Sequence, residues 1–211
     1  MENAFSIKEE NLTSLEKEIQ ENNHNFLEKI KNGQGIMDTV EFIKISFSKN
    51  LLEDIKFLNE LSGSDNFKIR HADMIIRGLL EQVIEFIYLM KHPEMISDYM
   101  GNNLDIDKVD AQNNPIESLL YFGEKRYTGR RKSISAMAKD IKEKKSTNKL
   151  SLYDMYRILS EQCHSSYYNA IMDDVGEYET GESNNALTEE QTSYIVLIID
   201  RFLQKYRNAK Q

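Results

Sequence analysis

The sequence predicts an all-α protein, a single-domain bundle of about seven or eight helices, on three observations. Only two prolines and five valines occur in 211 residues, so the strongest helix breaker and one strong sheet former are both scarce. No stretch sustains the two-residue alternation of a half-buried strand. Cap and stop signals instead recur at helix-length intervals along the whole chain.

Ser6 with Glu9, then Thr13 with Glu16, are successive capping-box pairs that open an N-terminal helix through Leu15, Ile19, Phe26 and Ile30. Gly33 and Gly35 end it, so residues 1–36 read as a helical arm and residues 37–211 as the bundle. Asp38 with Glu41 opens a second helix, whose apolar stripe runs Val40, Ile43, Phe47, Leu51, Ile55, Leu58 and Leu61. Gly63 is placed to cap it. A third helix runs from about Phe67 to Lys91, where Pro93 stops it, and it is apolar on almost every side. Such a helix belongs at the centre of its domain.

Asn114-Pro115-Ile116-Glu117 combines a cap, an N1 proline and an N3 glutamate, and predicts a short helix to about Glu124. Helices from Ser133 to Lys144 and from Ser151, capped with Asp154, follow. Asp173 to Asn185 is acidic and holds Gly176 and Gly181, which makes 173–187 an acidic loop. Thr188 with Gln191 caps a last helix through Ile195, Ile198, Phe202 and Tyr206.

Composition narrows the function classes. With 40% hydrophobic and 29% charged residues the chain has enough apolar surface to fold. Its longest aliphatic run is the five residues Ile195 to Ile199, too short to span a bilayer, so no membrane partner is expected. Met1-Glu2-Asn3-Ala4-Phe5 holds neither the basic start nor the apolar run of a secretory signal. The one cysteine, Cys163, excludes an intrachain disulfide, and the expected compartment is a reducing cytoplasm. His24, His71 and His92 stand far apart without ligand spacing, so neither a metal site nor a cofactor is expected.

The net charge of −8 is uneven. Tyr121 to Leu150 holds ten Lys/Arg against three Asp/Glu, while Asp173 to Glu190 holds seven acids and no base. A basic stretch on an acidic body still steers a polyanion, because the local field outweighs the total. Arg130, Arg131 and Lys132 are therefore candidate RNA contacts. Solvated lysine-rich loops would give the same composition.

Two helices carry the residues with chemistry. Asp73, Arg77, Glu81 and Glu85 are spaced by four on the otherwise apolar third helix, forming one narrow stripe. That stripe is either a solvated edge or the wall of a cleft. On the helix opened by Ser151, Tyr156, Ser160 and His164 share a face, and Arg157 lies two turns before His164. Imidazole moves protons near neutral pH and guanidinium grips phosphate at two points. His164, Arg157 and Glu81 are thus candidate catalytic residues, with Arg77, Tyr156 and Ser160 binding or orienting. A structural hydrogen-bond network would use the same side chains.

Arg77-x₃-Glu81, Ser135-Ala136-Met137-Ala138 and Tyr156-x₃-Ser160-x₃-His164 resemble, in order and separation, domain-of-unknown-function family 5677, a group of helical bacterial proteins. The resemblance covers roughly Leu51 to Ser166. His164-Ser165-Ser166 departs from the His-Pro-Ser that the family usually carries. Arg157-x₆-His164 is also similar to the signature of the HEPN superfamily of helical RNases, an Arg, a gap of four to six, and a His. Ile158 stands where those nucleases usually have a polar residue. This resemblance implies a HEPN-like core, a homodimer, and RNA cleavage without metal in a bacterial defence or toxin setting. It also implies an assisting acid on an earlier helix, for which Glu81 is the candidate. The alternative reading is a non-catalytic interaction or regulatory protein that binds a protein partner.

Overall fold

The computed structural model describes residues 9–32, 39–99, 132–143, 150–164, 171, 175 and 185–208. Among them the chain forms six α-helices of eight residues or more. These are α1 (Glu9–Lys31), α2 (Thr39–Leu61), α3 (Ile69–Lys91), α4 (Ile134–Ile141), α5 (Leu152–His164) and α6 (Glu189–Asn208). A 3₁₀ turn, Pro93–Met95, and one helical turn, Ile96–Tyr99, follow α3. No strand occurs among the described residues, and the protein is all-α. The expected helix from Pro115 to Glu124, Arg130, Arg131 and most of the acidic loop lie outside those residues. No helix among the described residues is long and apolar enough to cross a membrane.

Local chemistry sets the helix ends. Gly63 takes a φ of 85°, the left-handed conformation that closes α2 two residues after Leu61. Ser64 to Phe67 then forms a turn, with Phe67 N donating to Ser64 O at 3.0 Å, so α3 starts at Ile69 rather than Phe67. Ser133 Oγ accepts from Ala136 N at the start of α4. That helix ends three residues before Lys144, because Lys142 adopts a left-handed φ of 52°. Asp154 N donates to Ser151 Oγ at 3.1 Å to open α5. Thr188 and Gln191 exchange both capping-box bonds, at 3.0 and 3.1 Å.

Helix α3 packs against α2, α4, α5 and α6. Ile76, Leu79, Leu80, Val83, Ile84 and Phe86 are each 0% exposed, which places the second half of the helix on the core axis. Each such side chain contributes about 1.5–3 kcal/mol on burial. The rings of Phe47, Phe86, Phe202 and Tyr206 run through the core from α2 to α6, with successive centroids 5.8, 4.8 and 5.5 Å apart. The first half of α3 is less enclosed than its sequence suggests: Met74 is 53% exposed and His71 is exposed. Helix α1 lies against α2. It buries Ile19, and Asn22 Nδ2 donates to Tyr206 Oη at 2.8 Å.

Leu80→Ala should lower stability by about 2–5 kcal/mol, because a closed core cannot collapse onto the lost volume. Met74→Ala should cost under about 0.5 kcal/mol, as a surface change. Urea unfolding of the two variants checks the contrast.

Candidate functional site

Helix α5 is held at its N-terminus by Glu143. One carboxylate oxygen of Glu143 accepts from Leu152 N at 2.7 Å, and the other pairs with Arg201 Nε of α6 at 3.0 Å. An anion at that position complements the helix dipole. Leu152, Met155 and Leu159 then anchor the helix in the core. The remaining side chains divide between a flank turned to α3 and a face turned to solvent.

On the inner flank, Arg77 Nε donates to Glu81 Oε1 at 3.0 Å, with 28% and 32% of the two side chains exposed. The guanidinium stands 5.8 Å from the centre of the Tyr156 ring. Burial alone would lower the Arg77 pKa; the carboxylate of Glu81 outweighs it and raises the value, so the charge is secure. Burial pushes the Cys163 thiol up, against the pull of Arg77 and with the help of Asp73 and Glu81. Cys163 is therefore held as a thiol rather than an activated thiolate. Ser160 Oγ is buried and makes no hydrogen bond among the described residues.

Asp73 is 8% exposed and accepts from Gln191 Nε2 of α6 at 2.7 Å. The oxygen of the same amide, Gln191 Oε1, accepts from Thr188 N. One side chain thus closes a helix end and satisfies a buried carboxylate 118 residues away. The capping motif is visible in the sequence, but nothing there links Gln191 to Asp73.

His164 and Arg157 lie on the outer face. Both are exposed, and Arg157 Nη2 stands 3.8 Å from Glu161 Oε1, with 59% and 75% of the side chains exposed. No hydrogen bond or ion pair joins His164 to Glu81, Arg77 or Ser160 among the described residues. The structure therefore brings Arg77, Glu81 and Tyr156 together in one place, and Arg157, Glu161 and His164 in another. Among the described residues no three His, Cys, Asp or Glu side chains are placed to hold a metal ion.

A second charged cluster, which the sequence did not single out, joins the end of α3 to α4. His92 Nε2 is 2.7 Å from Asp140 Oδ2 and Nδ1 is 3.3 Å from Glu94. An ionised carboxylate only accepts, so Nε2 carries a proton there. Lys132 Nζ stands 3.4 Å from the same carboxylate and 5.3 Å from the Tyr88 ring centre. Lys91 Nζ donates to the backbone oxygen of Asp140. Desolvation of Asp140, which acts to raise its pKa, is outweighed by the His92 hydrogen bond and the charges of Lys132 and Lys91, and the carboxyl lies below its ordinary value. Lys132 is accordingly committed to Asp140, whereas Arg130 and Arg131 lie outside the described residues.

Two outcomes follow. Gln191→Ala removes a cap and leaves Asp73 buried without its amide donor, and should cost about 1–3 kcal/mol in urea unfolding. Asp73→Asn, which keeps an acceptor for the amide, should cost less. A carboxyl lowered by folding stabilises the protein above its unfolded pKa and loses that contribution as pH falls through the folded value. Melting temperature followed below about pH 4 should therefore fall less steeply in Asp140→Asn than in the wild type.

Compared with family models, with curated proteins and with solved structures, the chain matches none.

Proposed function

We propose that this chain is a HEPN-like RNA-binding domain that cleaves RNA without a metal ion, of the kind that serves bacterial defence or toxin systems, and that it acts in the cytoplasm. The observation that carries the reading is the exposure of Arg157 and His164, two turns apart on the face of α5 turned away from α3. Neither side chain is spent on holding the fold. The guanidinium stands 3.8 Å from the exposed Glu161 carboxylate of its own helix and exchanges that contact for the non-bridging oxygens of a phosphodiester, gripped at two points. The imidazole, at the last turn of the helix, serves as general acid or base. A single convex helix face gives a reacting phosphate no second wall. A homodimer that apposes two α5 faces supplies one, as the resemblance of Arg157-x₆-His164 implies. The basic stretch from Tyr121 to Leu150, which includes Arg130 and Arg131, supplies a local positive field that attracts the polyanion, while Lys132 is paired with Asp140.

The inner flank has a different task in this reading. Arg77 and Glu81 are paired beside the Tyr156 ring and orient α5, while Gln191 is bound to Asp73 and docks α6 on α3, so in this reading none of the five touches substrate. That same network favours a second reading, in which the polar stripe is structural throughout and the protein binds another protein.

Purified protein incubated with labelled RNA in EDTA separates the two. Under the first reading the wild type cleaves, and His164→Ala lowers the rate by about 10²–10⁴-fold. Arg157→Ala loses activity as well. Both variants should keep stability within about 0.5 kcal/mol of wild type, because both positions are exposed. No cleavage and no RNA binding by the wild type would overturn this reading in favour of the interaction protein.

A further inference from the structure

We infer that the junction of α3 and α4 is a binding site for a phosphate group, formed by Lys91, His92 and Lys132 and filled in the free protein by the carboxylate of Asp140, which a backbone phosphate of RNA displaces; this rests on the RNA-binding reading. Three donor side chains converge there on a single atom. His92 Nε2 stands 2.7 Å, Lys132 Nζ 3.4 Å and Lys91 Nζ 4.0 Å from Asp140 Oδ2. Donors exceed acceptors, because each ammonium alone carries three N–H groups. Against them stand Oδ2, the backbone oxygen of Asp140, which accepts from Lys91, and the Tyr88 hydroxyl beside Lys132.

Positive charge is in excess as well. Lys139 and Lys142 lie on either side of Asp140 in the chain, both exposed. Neither pairs with a carboxylate among the described residues, and Lys139 Nζ stands 4.8 Å from the Tyr153 ring centre. Glu94 meets the other side of the imidazole, at Nδ1, and joins neither Lys91 nor Lys132. Glu143 is taken up by Arg201 and Leu152 N. Four lysines thus stand against the carboxylates of Asp140 and Glu94, within or beside the basic stretch from Tyr121 to Leu150.

Desolvation would raise the Asp140 pKa, yet the His92 hydrogen bond and the charges of Lys132 and Lys91 hold it below its ordinary value. The field that does this favours any anion in that place. A phosphodiester brings a full negative charge and two non-bridging oxygens, one for each ammonium, where Asp140 presents one oxygen. The exchange takes place at the surface, since Asp140 is 26% exposed and Lys91 and Lys132 are 37% and 44% exposed. Ion pairs so placed contribute little net stability, so displacing Asp140 costs little.

The test titrates wild type, Asp140→Asn, Lys132→Gln and Glu60→Gln with labelled single-stranded RNA over a range of salt, and with inorganic phosphate alone. The His92 ring signals, assigned with His92→Gln, are followed by NMR. Glu60 is the charge control, exposed near the end of α2 and one length of α3, roughly 30 Å, from His92. Asp140→Asn should tighten RNA binding about fivefold, the worth of one nearby charge in water, and Glu60→Gln by less than about twofold. Lys132→Gln should lower the slope of log K against log salt by about 0.7, one phosphate contact on a single strand. Both RNA and inorganic phosphate should shift the His92 signals of the wild type. If RNA binds but Asp140→Asn gains no more than Glu60→Gln, or Lys132→Gln keeps the full slope, the site falls and the RNA-binding reading stands. If only inorganic phosphate binds, shifts His92 and is held tighter by Asp140→Asn, the site stands and the RNA-binding reading falls. Binding of neither overturns both. Should Asp140→Asn fail to fold, the salt slope of Lys132→Gln decides alone.

Discussion

The structure depends on enclosing α3, a helix with apolar side chains around most of its girth. A helix of that kind has no stable surface position, because leaving even one long side exposed would keep several Leu, Ile and Phe side chains in water. Helices α2, α4, α5 and α6 all pack on it. Its polar residues then become the difficulty. Asp73 and Glu85 are each 8% exposed, and a carboxylate at that depth is costly without donors. Gln191 from α6 meets Asp73, and the Tyr99 hydroxyl donates to Glu85 at 3.3 Å.

Meeting those polar groups also fixes how the surrounding helices dock. The hydrophobic effect is non-directional, whereas a hydrogen bond to a buried carboxylate requires its donor at a set distance and angle. The Gln191–Asp73 bond fixes the start of α6 on α3. The ring of Tyr156 beneath the Arg77–Glu81 pair orients α5. With its inner flank so bound, α5 turns Arg157, Glu161 and His164 outward together. The arrangement of the outward row is thus a consequence of polar contacts on the opposite side of the same helix.

Much of the fold was legible in the sequence because helix signals are local. The caps at Ser133, Ser151 and Thr188, the turn at Gly63 and the stop at Pro93 act over three or four residues, and they mark the helices in the structure. The misplaced ends have local causes as well. Lys142 ends α4 in a left-handed conformation that a lysine gives no warning of, and Phe67 belongs to a turn although its ring is buried. The exposure of Met74 was not legible, since periodicity marks an apolar residue but not whether a neighbour covers it.

For the candidate site the division is sharper. Spacing by itself determined that Asp73, Arg77, Glu81 and Glu85 form one stripe, and that Arg157 lies on nearly the same face as His164, because the α-helical repeat places residues four and seven apart side by side. Spacing also put Tyr156 and Ser160 in the same row as His164. Only the tertiary structure decided that this row straddles an edge, with Tyr156 against Arg77 and His164 in solvent. Only the tertiary structure brought Gln191 to Asp73 and His92 to Asp140, across 118 and 48 residues. The physical reason is that a helix dictates which side chains are neighbours along itself, while the packing of one helix on another dictates which of them meet water.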